Sequence, residues 1–115
     1  MIQVTLPFPP GVNNLFATVG KRRVRSKRYR EWSSAAWLAA MQQPRPDAIQ
    51  GPFIASFLVT RPDKRKRDLD GLLKAPLDFL VELGLIDDDS MAQSLTIQWC
   101  GYAKPGSVTI TLEAA

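Results

Sequence analysis

The segment Phe53 to Thr60 limits the folds open to this chain more than any other. Phe53, Ala55, Phe57 and Val59 form one alternating apolar set, and Ile54 and Leu58 make the opposite set largely apolar too. A strand that is apolar on both faces belongs in the middle of a sheet covered on both sides. It runs directly into Arg61, Lys64, Arg65, Lys66 and Arg67, so a basic patch stands at the end of a central strand.

The rest of the chain supplies partners for that strand. Ile2, Val4 and Leu6 alternate with Gln3 and Thr5, a half-buried strand ended by Pro7, Pro9 and Pro10, and Gly11 to Asn14 form a turn. From about Arg28 to Gln43, Tyr29, Trp32, Ala36 and Ala40, flanked by Trp37 and Ala39, make one helical stripe that Pro44 and Pro46 stop. Leu38 lies opposite that stripe, as an apolar patch for a second subunit. Arg45 to Gly51 is a linker too short to separate domains.

Leu69, Leu72, Leu73, Leu77 and Leu80 then recur at helical spacing, with Asp68 as N-cap and Gly84 as a left-handed stop. Pro76 falls inside this run. An interior proline costs ~3 kcal/mol, yet the stripe continues through it, so one kinked helix is expected. Leu95, Ile97 and Trp99, and then Val108, Ile110 and Leu112, alternate on either side of Gly101 to Gly106, which predicts a hairpin. Its loop has the glycine spacing of a phosphate-binding loop but lacks the Lys-Ser/Thr pair and the following helix. The expected class is α+β, a mixed sheet of about four strands in the order β-α-β-α-β-β with two helices.

At 115 residues the chain should form a single domain, 1–115. No apolar run approaches the ~20 residues of a membrane span, and the N-terminus lacks the pattern of a signal peptide. A cytoplasmic protein without a membrane partner is expected. The single cysteine, Cys100, fits a reducing compartment and reads as a small core residue. The absence of histidine removes the Ser-His-Asp and Cys-His triads and imidazole-based nuclease chemistry, leaving carboxylates, lysine, tyrosine or metal-bound water.

The net charge of +4 is unevenly spread. Lys21, Arg22, Arg23, Arg25, Lys27, Arg28 and Arg30 form one cluster and Arg61 to Arg67 a second, together holding twelve of the fifteen Lys and Arg. Either cluster alone reads as a solvated face; two, one of them abutting carboxylates, point to a polyanion. Phe16, just before the first cluster, reads either as core or as an aromatic that stacks on bases or wedges between them.

The carboxylates complete the pattern. Asp68 and Asp70 flank one residue, and Asp70 and Lys74, four apart, share a helix face. Asp87, Asp88 and Asp89 follow the helix C-terminus, where the helix dipole disfavours negative charge and a bound cation would relieve it. Singly these read as an N-cap and a solvated turn. Together, beside a basic strand end, they predict an all-oxygen site for Mg²⁺ or Mn²⁺ acting on a phosphate polymer.

These residues carry a resemblance. Arg67-Asp68-Leu69-Asp70-Gly71-Leu72-Leu73-Lys74-Ala75, then Leu77-Asp78 and Gly84-Leu85-Ile86-Asp87-Asp88-Asp89, resemble the signature of the RusA family of Holliday junction resolvases. Pro9-Pro10-Gly11-Val12-Asn13 is similar to that family's Pro-Pro-Ser-x-Asn stretch. The resemblance implies a small homodimeric, Mg²⁺-dependent endonuclease, of a kind common in bacteria and their prophages, that cuts four-way DNA junctions by paired symmetric nicks. Asp68, Asp70 and Asp89 match the catalytic acidic residues and Lys74 the essential lysine. Asp88 matches an adjacent acidic position and is a further candidate metal ligand. Candidate DNA contacts are Lys21, Arg22, Arg23, Arg25, Lys27, Arg28, Lys64, Arg65, Lys66 and Arg67, with Asn13 and Phe16 beside them. No nucleotide cofactor is expected. Three positions depart from the family pattern: Gly71 stands where Asn is usual, Met91 where Gln commonly follows the aspartates, and Pro76 where a helix former is usual. The rival readings are a junction-binding module without catalysis and a nucleotide-sugar enzyme, the latter too large for this chain.

Overall fold

The computed structural model describes residues 1–115. Strand β1 (Ile2–Pro7) turns Val4 and Leu6 inward and Gln3 and Thr5 outward, as its alternation requires. A helix is expected next, but a two-stranded hairpin comes first: β2 (Phe16–Val19) and β3 (Arg22–Arg25), joined at Gly20, whose φ of 63° suits a tight hairpin turn. Its exposed, charge-rich residues carry no apolar alternation, so the sequence reads there as a basic cluster and not as a pair of strands.

Helix α1 (Lys27–Met41) is capped by Ser26, whose Oγ accepts the Tyr29 N–H at 3.1 Å and donates to the Asn14 carbonyl at 2.6 Å. It buries the expected stripe of Tyr29, Trp32, Ala36 and Ala40 and leaves Leu38 68% exposed. Strand β4 (Phe53–Arg61) follows, and then helix α2 (Lys74–Leu83), which ends at the left-handed Gly84 as expected. Strands β5 (Ala92–Tyr102) and β6 (Ser107–Ala114) complete the chain.

The expected kinked helix from Asp68 is instead a 3-10 turn over Asp70–Leu72 followed by α2. Pro76 is the third residue of α2, where the backbone N–H has no partner within the helix, so its missing donor costs little and no kink is needed. Asp68 lies ahead of the 3-10 turn and does not cap α2, whose N-cap position is Leu73.

The expected β5–β6 hairpin does not form. The sheet order is β1-β6-β4-β5, with β4 between the two and pairing parallel to β5 and antiparallel to β6. The parallel β4–β5 pair needs a long crossover, which α2 and its flanking turns provide. The chain then passes over the end of β4, where Ala103 N–H bonds the Arg61 carbonyl at 2.9 Å. Gly106 makes that passage possible: a Cβ there would stand 2.7 Å from both the Thr60 carbonyl oxygen and Pro62 Cδ.

Strand β4 is central but covered on one side only. Ala55, Phe57 and Val59 are buried in register with Leu112, Ile110 and Val108 of β6, Phe53 is buried opposite Ala114, and the apolar faces of the two strands join the buried stripes of both helices in one core of 23 residues. The opposite sheet face, with Ser56, Leu58, Thr109 and Thr111, is uncovered, and Leu58 is 37% exposed. Strand β5 is the sheet edge, so Leu95, Ile97 and Trp99 are only partly covered. Cys100 is exposed on this edge and is not core. No helix is long and apolar enough to cross a membrane.

Candidate active site

Two loops meet at the basic end of β4. Phe8 to Asn14, after β1, faces Arg65 to Leu72, after β4, across a cleft of about 420 Å³. Gly71 faces Val12 across the cleft; a Cβ built on it would lie 3.6 Å from Val12 Cγ1, an ordinary contact. Asp63 shapes the second loop. It accepts the Arg65 N–H at 2.9 Å and pairs with the Arg67 guanidinium at 2.9 Å, and the first of these bonds chiefly holds its carboxyl below the usual range. Arg67 in turn covers the Phe8 ring at 4.9 Å. Arg67 is therefore partly a brace between the loops, which its place in a basic run did not reveal.

Asp68 and Asp70 are exposed along this cleft. Neither belongs to any of the ion pairs, whose acidic partners are Glu31, Asp63, Asp78, Glu82 and Asp89. Arg28, Arg65, Lys66, Arg67 and Asn13 line the same cleft, so the first turn of α1 and the second basic cluster converge on the two free carboxylates. Lys64, on the same loop, is exposed outside the lining. Cations at a helix N-terminus oppose its dipole, and α1 has no acidic residue in its first turn. An anion bound there would be favoured by both the dipole and these cations.

Lys74 and Asp89 do not line this cleft. The Lys74 ammonium is 3.1 Å from Asp78 Oδ1 and 3.4 Å from Asp89 Oδ2, and it makes no ion pair with Asp70. Its pKa is raised, first by the hydrogen bond to Asp78, so it is a charged donor at neutral pH. The three consecutive aspartates have three different partners. Asp87 accepts the Gly51 N–H at 2.9 Å, Asp88 caps the 3-10 turn Asp89–Met91 by accepting the Ser90 N–H at 3.1 Å, and Asp89 faces Lys74. The Ser90 bond chiefly holds the Asp88 carboxyl below its usual range. Each carboxylate of the charge run thus has a partner within the protein.

As the side chains stand, no three carboxylates gather around one point. The donor chemistry still suits a hard divalent cation: Asp68 and Asp70 offer oxygen alone, make no ion pair within the protein, and are open to the waters that Mg²⁺ retains.

The first basic cluster divides. Lys21, Arg22 and Arg23 are exposed on the hairpin, where Arg23 covers the Phe16 ring at 4.5 Å and Phe16 itself is 39% exposed. Arg25 is engaged with Glu82, a bond that raises its pKa, and lies 4.6 Å over the Tyr29 ring; Lys27 reaches Glu31 at 3.7 Å. Sequence reasoning missed Asp63 and gave Asp78 no role, although the Lys74–Asp78 spacing of four is the signal of a helical ion pair.

The model of the family "Endodeoxyribonuclease RusA" matches residues 7–113, from the end of β1 almost to the end of β6. The chain belongs to the RusA endodeoxyribonuclease family. Two RusA relatives agree with this. The crossover junction endodeoxyribonuclease of Enterobacteria phage HK97 is 25% identical over 95 residues, covering 83% of this chain and 79% of that one. That of Aquifex aeolicus (strain VF5) is 28% identical over 86 residues, covering 75% and 68%. Of the three departures from the RusA pattern, only Pro76 has a local explanation, and nothing in the structure explains Gly71 or Met91. Gly71 leaves only ordinary contacts for a Cβ, the nearest at 3.6 Å, Pro76 occupies a helix first turn, and Met91 is 38% exposed at the end of the turn that Asp88 caps.

Proposed function

We propose that this RusA-family endonuclease resolves four-way DNA junctions with Mg²⁺ or Mn²⁺ held by Asp68, Asp70 and Asp89, and Asp88 adjacent. The observation that carries this reading is the cleft in which two unpaired carboxylates face Arg28, Lys66 and Asn13 in a chain of this family. When bound, the ion supplies a polarised phosphate and a water of lowered pKa. The protein's own part follows from its charges. Arg28, Arg65 and Lys66 hold the phosphate backbone over the carboxylates, a contact that positions DNA without reading sequence. Lys74, kept protonated, cannot serve as a base at neutral pH; its role is to stabilise the extra negative charge of the transition state. Lys21, Arg22, Arg23 and Lys64 extend the electrostatic track, and Phe16 at the foot of the hairpin offers a ring to unstacked bases.

A four-way junction is close to two-fold symmetric and needs two cuts, so a C₂ dimer with one site per subunit is the matching assembly. The outer face of α1, with Leu38 68% and Met41 56% exposed beside Trp37, supports a contact between subunits. Labelled four-way junction and linear duplex, incubated with the protein with and without Mg²⁺, test the reading. Paired nicks on the junction alone, dependent on Mg²⁺, are expected. Salt-sensitive junction binding without nicks would instead identify a binding module. Sedimentation at micromolar concentration should show a dimer.

A further inference from the structure

Asp78 holds both a lysine of the candidate centre and a buried tyrosine. It lies one helical turn after Lys74 on α2; its Oδ1 is 3.1 Å from Lys74 Nζ, and its Oδ2 accepts the Tyr29 hydroxyl at a long 3.4 Å. The other partner of Lys74, Asp89 at 3.4 Å, belongs to the separate turn before β5. The two carboxylates hold the ammonium from opposite elements, but they differ in freedom. Any cation or phosphate-bound ligand that engages Asp89 competes with the ammonium for its oxygens. Asp78 has no such competitor: its side chain is only 26% exposed, and each of its oxygens has its own protein partner.

Tyr29 is well placed to fix that carboxylate. It is 1% exposed, with Phe16 edge-on at 6.1 Å and the Arg25 guanidinium 4.6 Å over its ring. Burial first, and the Asp78 charge second, push its hydroxyl up to about 12, so it remains a donor at neutral pH.

We propose that Asp78, oriented by the Tyr29 hydroxyl, is the positioning residue that keeps the Lys74 ammonium at the cleavage centre when Asp89 is engaged by its ligand. A lysine has a four-carbon flexible stem and a point charge, so its contribution depends on being held where charge develops. The Tyr29 ring also ties this arrangement to the hairpin that carries Phe16 and Arg25. The inference rests on the assignment of Lys74 to the centre.

The test uses the full chain and a labelled four-way junction, measuring single-turnover cleavage at saturating protein with Mg²⁺ and gel-shift affinity without it. Asp78→Asn should slow cleavage roughly 10- to 100-fold, with metal-free affinity within about twofold of wild type, since no DNA contact is lost. Asp78→Glu keeps a carboxylate four residues from Lys74 and should recover most of the rate. Tyr29→Phe retains the ring contacts and should slow cleavage about threefold or more at unchanged affinity. It carries the test alone if Asp78→Asn does not fold. An Asp78→Asn rate within about twofold of wild type, equal losses for Asn and Glu, or a fall in affinity matching the fall in rate overturns the proposal. Lys74→Ala in the same assay separates the two layers. If it cleaves normally, the assignment of Lys74 falls; if it is inactive while Asp78→Asn and Tyr29→Phe are not, only the positioning role does.

Discussion

Adjacent residues of one type take different roles here because each side chain meets a different neighbour. Asp87 bonds the backbone of the linker, Asp88 caps a turn, and only Asp89 faces the lysine. Asp70 is the opposite case, a carboxylate exposed beside cations and bonded to none. Asp70→Asn keeps its size and removes its charge, so stability should change by less than the ~1 kcal/mol typical of a point mutant. Junction binding should persist or tighten, most visibly without Mg²⁺, because a negative charge has left a phosphate site. Cleavage should be lost, since an amide is a poor Mg²⁺ ligand. Gel shift and nicking on the same preparation check both halves; a folded variant that cuts at near the wild-type rate would remove Asp70 from the centre.

At the scale of elements, prolines and glycines act through position. Pro76 lies in the first turn of α2 and not in a helix interior, so Pro76→Ala should change stability by about 1 kcal/mol or less, well short of the ~3 kcal/mol that relief of an interior proline would return. Denaturant unfolding measures this directly. Gly106 has the reverse sensitivity. A methyl group there meets a carbonyl oxygen and a proline ring at 2.7 Å, both on backbone or ring atoms that cannot swing away. Gly106→Ala should cost roughly 1–3 kcal/mol, the range for overpacking, and lower the melting temperature while leaving the cleft residues in place. A melting temperature equal to wild type would mean that the loop over β4 relaxes freely.

At the scale of the molecule, the cations of the two basic clusters are not equivalent. One part converges with the carboxylates through Arg28, Arg65 and Lys66, and another extends along the hairpin through Lys21, Arg22 and Arg23. Arg25 and Arg67 are committed to Glu82 and Asp63 and should add less to DNA affinity than their charge implies. If ~6 to 10 phosphates are contacted, affinity should fall ~10³- to 10⁵-fold between about 50 and 200 mM salt. Titrations at several salt concentrations give the slope. Arg22→Ala should reduce it by about one contact and Arg67→Ala by less. Equal effects would mean that the Asp63 pair opens when DNA binds.

By itself, the sequence determined the parts whose causes are local. Alternation marked β1 and β4, a 3-4-4 spacing marked the buried stripe of α1, Gly84 marked the end of α2, and the Asp68-x-Asp70 and triple-aspartate runs marked the candidate centre. Tertiary structure decided what depends on partners distant along the chain. An alternating strand reads the same beside either neighbour, so nothing in β5 or β6 shows that β4 lies between them. An apolar strand face reads the same covered or bare, so the open side of β4 appeared only once both helices had packed on the other. A cation in a basic run reads as free until Asp63 or Glu82 is folded against it. The contacts that set Lys74 against Asp89, and Tyr29 against Asp78, span 15 and 49 residues, and only the packed helices and the returning chain bring them within reach.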